Sequence, residues 1–125
     1  MKQIAVVEDN SDNRLLVQVI LEPFYQVTDY ENGAAALDGM RRHKPDLVLL
    51  DVSLPGMDGT EVLARVRADA GLRTLPVIAL TAHAMTGDRE KFLAAGFDDY
   101  VTKPIVDETL LLDAIEKLLS RKPAA

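Results

Sequence analysis

Five side chains along this chain carry groups that could do chemistry together. Glu8 and Asp9 stand side by side after a short apolar run, Ile4–Val7. Asp51 follows a second run, Leu47–Leu50, Thr81 follows a third, Val77–Leu80, and Lys103, next to Pro104, follows Tyr100–Val101. A carboxylate can act as a nucleophile and form an acyl phosphate. Phosphoryl transfer asks mainly for positioning and for neutralisation of the three equatorial oxygens. A metal ion can cover one oxygen, the Lys103 ammonium a second, and the Thr81 hydroxyl with nearby backbone N–H groups the third. Acids crowded together raise one another's pKa unless a cation neutralises them. Glu8, Asp9 and Asp51 offer only oxygen ligands, without His or Cys, and that donor set suits Mg²⁺. Taken singly, each acid serves equally well to cap a loop or a helix. Taken with the lysine and the threonine, they form the convergent charged cleft that marks a site.

Convergence requires a scaffold that brings strand ends together. The apolar runs, with Gln26–Tyr30 as a further one, alternate with helix-period segments at 11–22, 33–43, 58–69, 84–95 and 106–121. Leu47–Leu50 and Val77–Leu80 are apolar at every position, as strands buried on both faces are. Repeated strand–helix alternation predicts a parallel α/β sheet with right-handed crossovers. In an open sheet of that kind, ligands bind at the carboxyl ends of the strands, which is where Glu8, Asp9, Asp51, Thr81 and Lys103 fall. The punctuation agrees. Asn10 or Ser11 can cap the first helix, Asn32-Gly33 opens the second and Asp58 or Gly59 the third, while Gly96 is placed to stop the fourth. Pro45, Pro76 and Pro104 flank strands without interrupting them.

The length suits one domain. Residues 1–121 read as that domain and 122–125 as a short tail, with no room for an output domain after them. The hydrophobic fraction of 48% supports a real core, and the absence of cysteine excludes disulfides and zinc–thiolate sites. No signal peptide opens the chain, and no apolar run approaches the ~20 residues of a membrane span. A cytoplasmic protein without a membrane partner is the expectation. The net charge of −6, with no Lys/Arg run, argues against nucleic-acid binding.

The residues named so far resemble the receiver domains of two-component response regulators. The resemblance runs from Lys2 to about Leu119. It rests on Glu8-Asp9, on Asp51 within Leu50-Asp51-Val52-Ser53-Leu54-Pro55-Gly56-Met57-Asp58-Gly59, on Thr81-Ala82 and on Lys103-Pro104. It implies a flavodoxin-like doubly wound fold of five parallel strands in the order 2-1-3-4-5 with five helices. It implies phosphorylation of Asp51, with Mg²⁺ held by Asp9, Asp51 and the backbone carbonyl of Ser53 and with Glu8 helping through water. It makes Thr81 and Tyr100 a switch pair. Glu8-Asp9-Asn10, Asn13-Arg14 and Thr81-Ala82-His83-Ala84-Met85 resemble both single-domain cell-cycle regulators and the receivers of hybrid kinases. Ser53 and His83 fall where residues line the path of an attacking water in the resembling domains, so both are expected to tune the lifetime of the phosphate.

Other residues carry blander readings beside the functional ones. His83 could act as a base, but the attacking group is already Asp51, so a site-edge role that tunes access is favoured. His43 ends the charged run Arg41-Arg42-His43 at a helix C-terminus, a capping and solvation role. The last helix carries Leu110, Leu111, Leu112, Ile115, Leu118 and Leu119, a wide apolar stripe. Core is its simpler reading and partner contact the sharper one, with Leu110 and Ala114 to one side.

The expected function is a phosphorylation-controlled switch, not a turnover enzyme, that also loses its phosphate by its own hydrolysis. The expected donor is a histidine kinase or histidine phosphotransfer protein docking near Asn10 to Arg14. The expected output is a protein partner on the face of helix four, strand five and helix five, with the chain a monomer or weak dimer. The rival is a Mg²⁺-dependent phosphohydrolase with an aspartate nucleophile, which needs a general acid two residues after the nucleophile, where Ser53 stands, and an inserted cap. A flavin module is disfavoured because Glu8-Asp9 would repel phosphate.

Overall fold

The computed structural model describes residues 1–54, 56–82, 88–103, 105 and 107–120, and of Asp88 and Arg89 the backbone alone. The strands are β1 (Gln3–Val7), β2 (Gln26–Tyr30), β3 (Leu47–Asp51), β4 (Val77–Thr81) and β5 (Asp99–Thr102). The helices are α1 (Ser11–Leu21), α2 (Gly33–Arg42), α3 (Gly59–Ala68), α4 (Asp88–Ala95) and α5 (Glu108–Leu119). All strand pairs are parallel, in the order β2-β1-β3-β4-β5. The alternation predicts the parallel sheet, and its order is the flavodoxin-like one that the resemblance to receiver domains implies.

Burial explains which strands lie inside. Every residue of β3 and of β4 is buried, and β1 is buried after Gln3. β2 departs from the expectation of an apolar run: it reads Gln-Val-Thr-Asp-Tyr, lies at the sheet edge and has no fully buried residue. Helices on both faces make two cores. One joins Ala36, Leu37 and Met40 of α2, Val62, Leu63 and Val66 of α3 and Phe92 of α4 to Ala5, Val48 and Ala79 of the sheet. The other joins Val17, Ile20 and Leu21 of α1 and Leu111, Ile115 and Leu118 of α5 to Ile4, Leu49 and Ile78. The stripe on α5 is therefore split. Three of its leucine and isoleucine side chains are core, Leu112 and Leu119 pack at its margin, and Leu110 is 61% exposed.

The caps are resolved by hydrogen bonds. Asn10, rather than Ser11, caps α1 by accepting from the Asn13 N–H at 3.0 Å. Asn32 and Asp58 do the same for α2 and α3 at 2.8 and 3.0 Å. Asp107 caps α5, so that helix begins at Glu108, two residues after its expected start. The expected start of α4 at 84 and the expected tail beyond 121 lie outside the described residues. Gly96, at φ +112°, ends α4. The Gly96 N–H donates to Leu93 O and the Phe97 N–H to Phe92 O, both at 3.1 Å, and the Phe92 and Phe97 rings meet edge to face. That double bond with its apolar contact is a Schellman ending, which needs a left-handed residue where glycine stands.

At the end of the sheet away from the strand C-termini, one guanidinium ties three segments. Arg67 of α3 donates to Arg73 O at 2.9 Å, Leu75 O at 2.6 Å and Gly96 O at 2.8 Å, and pairs with Asp98 Oδ2 at 3.0 Å. The same Asp98 oxygen accepts the Val77 N–H at the start of β4 at 2.8 Å. Only a planar fork of several donors can satisfy this many acceptors at once. Arg67→Gln is expected to lower stability by about 2–3 kcal/mol, since bonds to charged groups contribute ~1.5–3 kcal/mol each and water re-satisfies part of the loss. Urea unfolding checks this, and an unchanged midpoint would mean that solvent replaces the guanidinium fully.

Candidate functional site

The parallel register delivers acids from neighbouring strands to one edge. Val7 pairs with Leu50, so Glu8 and Asp51 are the next residues on adjacent strands, and Asp51 in turn pairs with Leu80, one residue before Thr81. Thr81 pairs with Thr102, one residue before Lys103, whose N–H donates to Thr81 O at 2.7 Å. Glu8, Asp51 and Thr81 are all buried, at 0%, 1% and 6% exposure, whereas Asp9 is exposed.

The Lys103 ammonium sits between the two buried acids, 3.1 Å from Glu8 Oε2 and 3.1 Å from Asp51 Oδ2. The other oxygen of each acid is also engaged. Glu8 Oε1 accepts the Asn10 N–H at 3.2 Å, and Asp51 Oδ1 accepts the Ser53 N–H at 3.0 Å. Asp9 completes the group: Glu8, Asp9 and Asp51 each offer an oxygen, and these lie within 4.8 Å of one another. Among the described residues, three carboxylates thus gather where one ammonium pairs with two of them. Burial pushes the Glu8 carboxyl above its ordinary value and the charge of Asp51 adds to this, against the opposing bonds from Lys103 and Asn10. Burial works to lower the Lys103 pKa, but its bonds to Asp51 and Glu8 outweigh that and raise it.

Two supports of this geometry stand at residues within the sequence motifs whose contacts the sequence does not disclose. Arg14, one turn into α1, donates to the backbone oxygens of Glu8 at 2.9 Å and Asp9 at 3.3 Å and pairs with Asp29 of β2 at 3.4 Å, so it holds the loop that carries both acids. Gly59 does more than open α3. A Cβ there would lie 2.2 Å from Asp51 O and 2.7 Å from Val52 Cα, so only glycine lets the helix start this close to the Asp51 backbone.

The remaining sequence candidates sit further out. Ser53 is exposed and reaches the site through its backbone N–H. Tyr100 is half-buried, packs on the core and stands 5.7 Å, ring to ring, from Phe92 of α4. It lies three residues from Lys103 on β5, away from the acids themselves. His83, Pro55 and Pro104 lie outside the described residues. His43 is the C-cap of α2 and donates its N–H to Gly39 O at 2.9 Å.

A sheet of this order with paired acids and a lysine at the strand C-termini defines the receiver class, and the sequence signature of the response regulator receiver domain matches residues 4–116. The chain belongs to the response regulator receiver domain family. It is 43% identical over 105 residues to the polar-differentiation response regulator DivK of Brucella anthropi, covering 83% of this chain and 85% of DivK. It is also 43% identical over 112 residues to the sensor protein GacS of Pseudomonas syringae pv. syringae, where it covers 86% of this chain but only 12% of GacS. Among solved structures, it superposes on the receiver domain of sensor histidine kinase PA1611 from Pseudomonas aeruginosa PAO1 with a TM-score of 0.86 and 35% identity. That alignment covers 96% of this chain and 98% of the other, which carries a magnesium ion coordinated in its active site cleft. The signal receiver domain of a signal transduction histidine kinase from Syntrophus aciditrophicus gives 0.85 and 32%, covering 100% of this chain and 97% of that one. No helix among the described residues is long and apolar enough to cross a membrane.

Lys103→Met leaves Glu8 and Asp51 buried without their cation. In metal-free buffer at neutral pH this is expected to cost about 3 kcal/mol, the low end for removing one partner of a buried pair, because 16% of the Lys103 side chain reaches water. The sign of the pH dependence follows from Glu8. Its folded pKa is raised above 4.5, so the folded state holds its proton more tightly and stability falls as pH rises through that window. Without Lys103 the window widens upward. The deficit of the variant is therefore expected to shrink as pH falls from 7 toward 4.5, as read by urea midpoints at several pH values. A deficit independent of pH would assign the loss to packing alone.

Proposed function

We propose that this chain is a phosphorylation-controlled switch whose phosphoacceptor is Asp51. The observation that carries the reading is the buried Asp51 carboxylate, held by the Lys103 ammonium and the Ser53 N–H, with Glu8 and Asp9 beside it. The donor is a phosphohistidine on a histidine kinase or histidine phosphotransfer protein. An Asp51 oxygen attacks phosphorus, the P–O bond forms as the P–N bond to histidine breaks, and the imidazole leaves with the electron pair. Lys103 and the Thr81 hydroxyl hold phosphoryl oxygens on the product side.

The donor set fits a divalent cation. It is all oxygen and crowded, with three carboxylates beside the one Lys103 ammonium among the described residues; burial first, and the charge of Asp51 after it, raise the Glu8 pKa. Asp9, Asp51 and the Ser53 carbonyl would hold Mg²⁺, with Glu8, already bonded to Lys103 and Asn10, acting through water. Bound there, Mg²⁺ neutralises charge on the transferring phosphoryl group.

Phosphate on Asp51 draws Lys103 and Thr81 toward it and changes the packing of Tyr100 against α4, altering the α4–β5–α5 face seen by a protein partner. Return to the resting state is hydrolysis of the acyl phosphate by water, at a rate that Ser53 and His83 tune. Donor docking near Asn10 to Arg14 is supported by α1, which exposes Leu15, Leu16 and Val19 beside the site. The likeness to DivK and to part of GacS supports both a free-standing regulator and a hybrid-kinase receiver. Either works as residues 1–121 folding as one unit in the cytoplasm, as a monomer or weak dimer. The phosphohydrolase reading is disfavoured, since the position two after Asp51 holds serine, whose backbone N–H binds Asp51.

Incubation with acetyl phosphate and Mg²⁺, followed by intact mass measurement, is expected to add one phosphoryl group to the wild type and none to Asp51→Asn, with the variant still folded. A normal adduct on that variant would move the acceptor elsewhere. Asp9→Ala is expected to weaken Mg²⁺ binding by on the order of tenfold or more, as loss of a charged ligand worth ~1.4 kcal/mol or more implies. Titration of the variant with Mg²⁺ at wild-type affinity would remove Asp9 from the metal set.

A further inference from the structure

A cavity of about 440 Å³ opens between β5 and α5. All four consecutive residues of β5 line it. Alternate strand residues point to opposite faces, so a cavity touching all four runs along the open edge of the strand. Among the described residues, β5 is the last strand of the sheet and pairs with β4 alone. Across the gap stand Ile105, Leu110 and Ala114, and Leu110, though large and apolar, is 61% exposed.

The rim decides what this groove can hold. Among the described residues, Asp99, Asp107 and Asp113 line it with Lys117 as the one cation, on a chain of net charge −6. One edge donor is already engaged. The Tyr100 N–H is taken at 2.8 Å by the Asp99 carboxylate, which disfavours addition of a partner strand by backbone pairing. The site is therefore apolar at its centre, rich in acceptors and negative at its edge. Such a site repels acidic peptides, nucleic acid and anionic membrane, and it complements a segment carrying lysine or arginine on either side of an aliphatic side chain.

We propose that the β5–α5 groove docks a cationic segment of a partner protein, with one aliphatic side chain seated against Leu110 and Ala114 and flanking cations on Asp99, Asp107 and Asp113. The proposal deepens the switch reading, on which it rests for the coupling of this face to Asp51 through Tyr100, by naming the chemistry of the partner.

The test is an NMR titration of the ¹⁵N-labelled protein with a short, end-blocked peptide of alternating leucine and lysine. Peptides of leucine with glutamate and of serine with lysine serve as comparators. Saturable shifts are expected at Tyr100 to Thr102, Leu110 and Ala114 with the first peptide, and markedly weaker binding with the other two. Leu110→Lys and Asp113→Lys are each expected to weaken it by about tenfold or more, in line with burial of a leucine side chain and loss of a rim charge. Both positions are exposed, so the variants are expected to fold, as their unperturbed spectra would verify. Equal affinity in the variants, equal binding of the glutamate peptide, or shifts scattered over the acidic surface would overturn the proposal. So would concentration-dependent dimerisation through these same residues, which would give the groove to a second copy. Acetyl phosphate labelling of the same samples separates the two readings. Labelling of Asp51 without groove binding overturns this inference alone, and groove binding without labelling overturns the phosphoacceptor alone.

Discussion

Glu8 and Asp51 occupy equivalent places on adjacent parallel strands, and without a cation between them two buried carboxylates would not both stay ionised. The Lys103 ammonium, 3.1 Å from each, supplies that cation. Everything that fixes its position matters for the site. Its backbone is tied to the end of β4 through Thr81 O, and β5 is in turn registered on β4 from Asp99 to Thr102. The lysine is thus placed by the last strand of the sheet and the acids by its central strands. The contact exists only when the whole sheet is assembled, with 95 residues separating Lys103 from Glu8.

The supports of this contact divide into two groups by location. Near the acids, Arg14 holds the β1–α1 loop by its carbonyls, and the missing side chain of Gly59 lets α3 begin against the Asp51 backbone. At the opposite end of the sheet, Arg67 joins α3 to the segment before β4 and to the Gly96–Asp98 turn before β5. That second cluster anchors the end of α4 where its Schellman turn closes, so α4 is fixed at its C-terminus by hydrogen bonds and by the Phe92–Phe97 contact. Under the proposed switch, the packing of the half-buried Tyr100 on Phe92 of α4 is the contact that a ligand at the site would rearrange.

Charge has different consequences at the site and on the outer face. At the strand ends, Glu8 and Asp51 are buried with Asp9 exposed beside them, and among the described residues Lys103 alone is paired with them, leaving an excess that suits a hard cation. Along the outer edge of β5, Asp107 and Asp113 are exposed and Asp99 is half-buried around an apolar hollow, and under the proposed docking they would select among partners by repulsion as much as by attraction. The overall charge of −6 fits both, since neither surface asks for a polyanion.

The linear order of residues already determined the fold class and which polar side chains gather at the carboxyl ends of the strands. Apolar runs buried on both faces can only be interior parallel strands when helix-period segments separate them, and polar residues at their carboxyl ends must then meet. That logic reached Glu8, Asp9, Asp51, Thr81 and Lys103 without coordinates. It placed β2 at its observed bounds but read it as an apolar run, whereas its mixed Gln-Val-Thr-Asp-Tyr pattern reflects an edge position that only neighbours reveal. It could not divide the α5 stripe into core and groove, because helical period alone does not say how far round the sheet covers a helix. Nor could it find the Lys103 bridge to Glu8, the carbonyl bonds of Arg14 and Arg67, or the closeness of Gly59 to Asp51. Those contacts join residues set together by strand register and helix packing, and a residue type records what a side chain can bond to but not which distant backbone will arrive beside it.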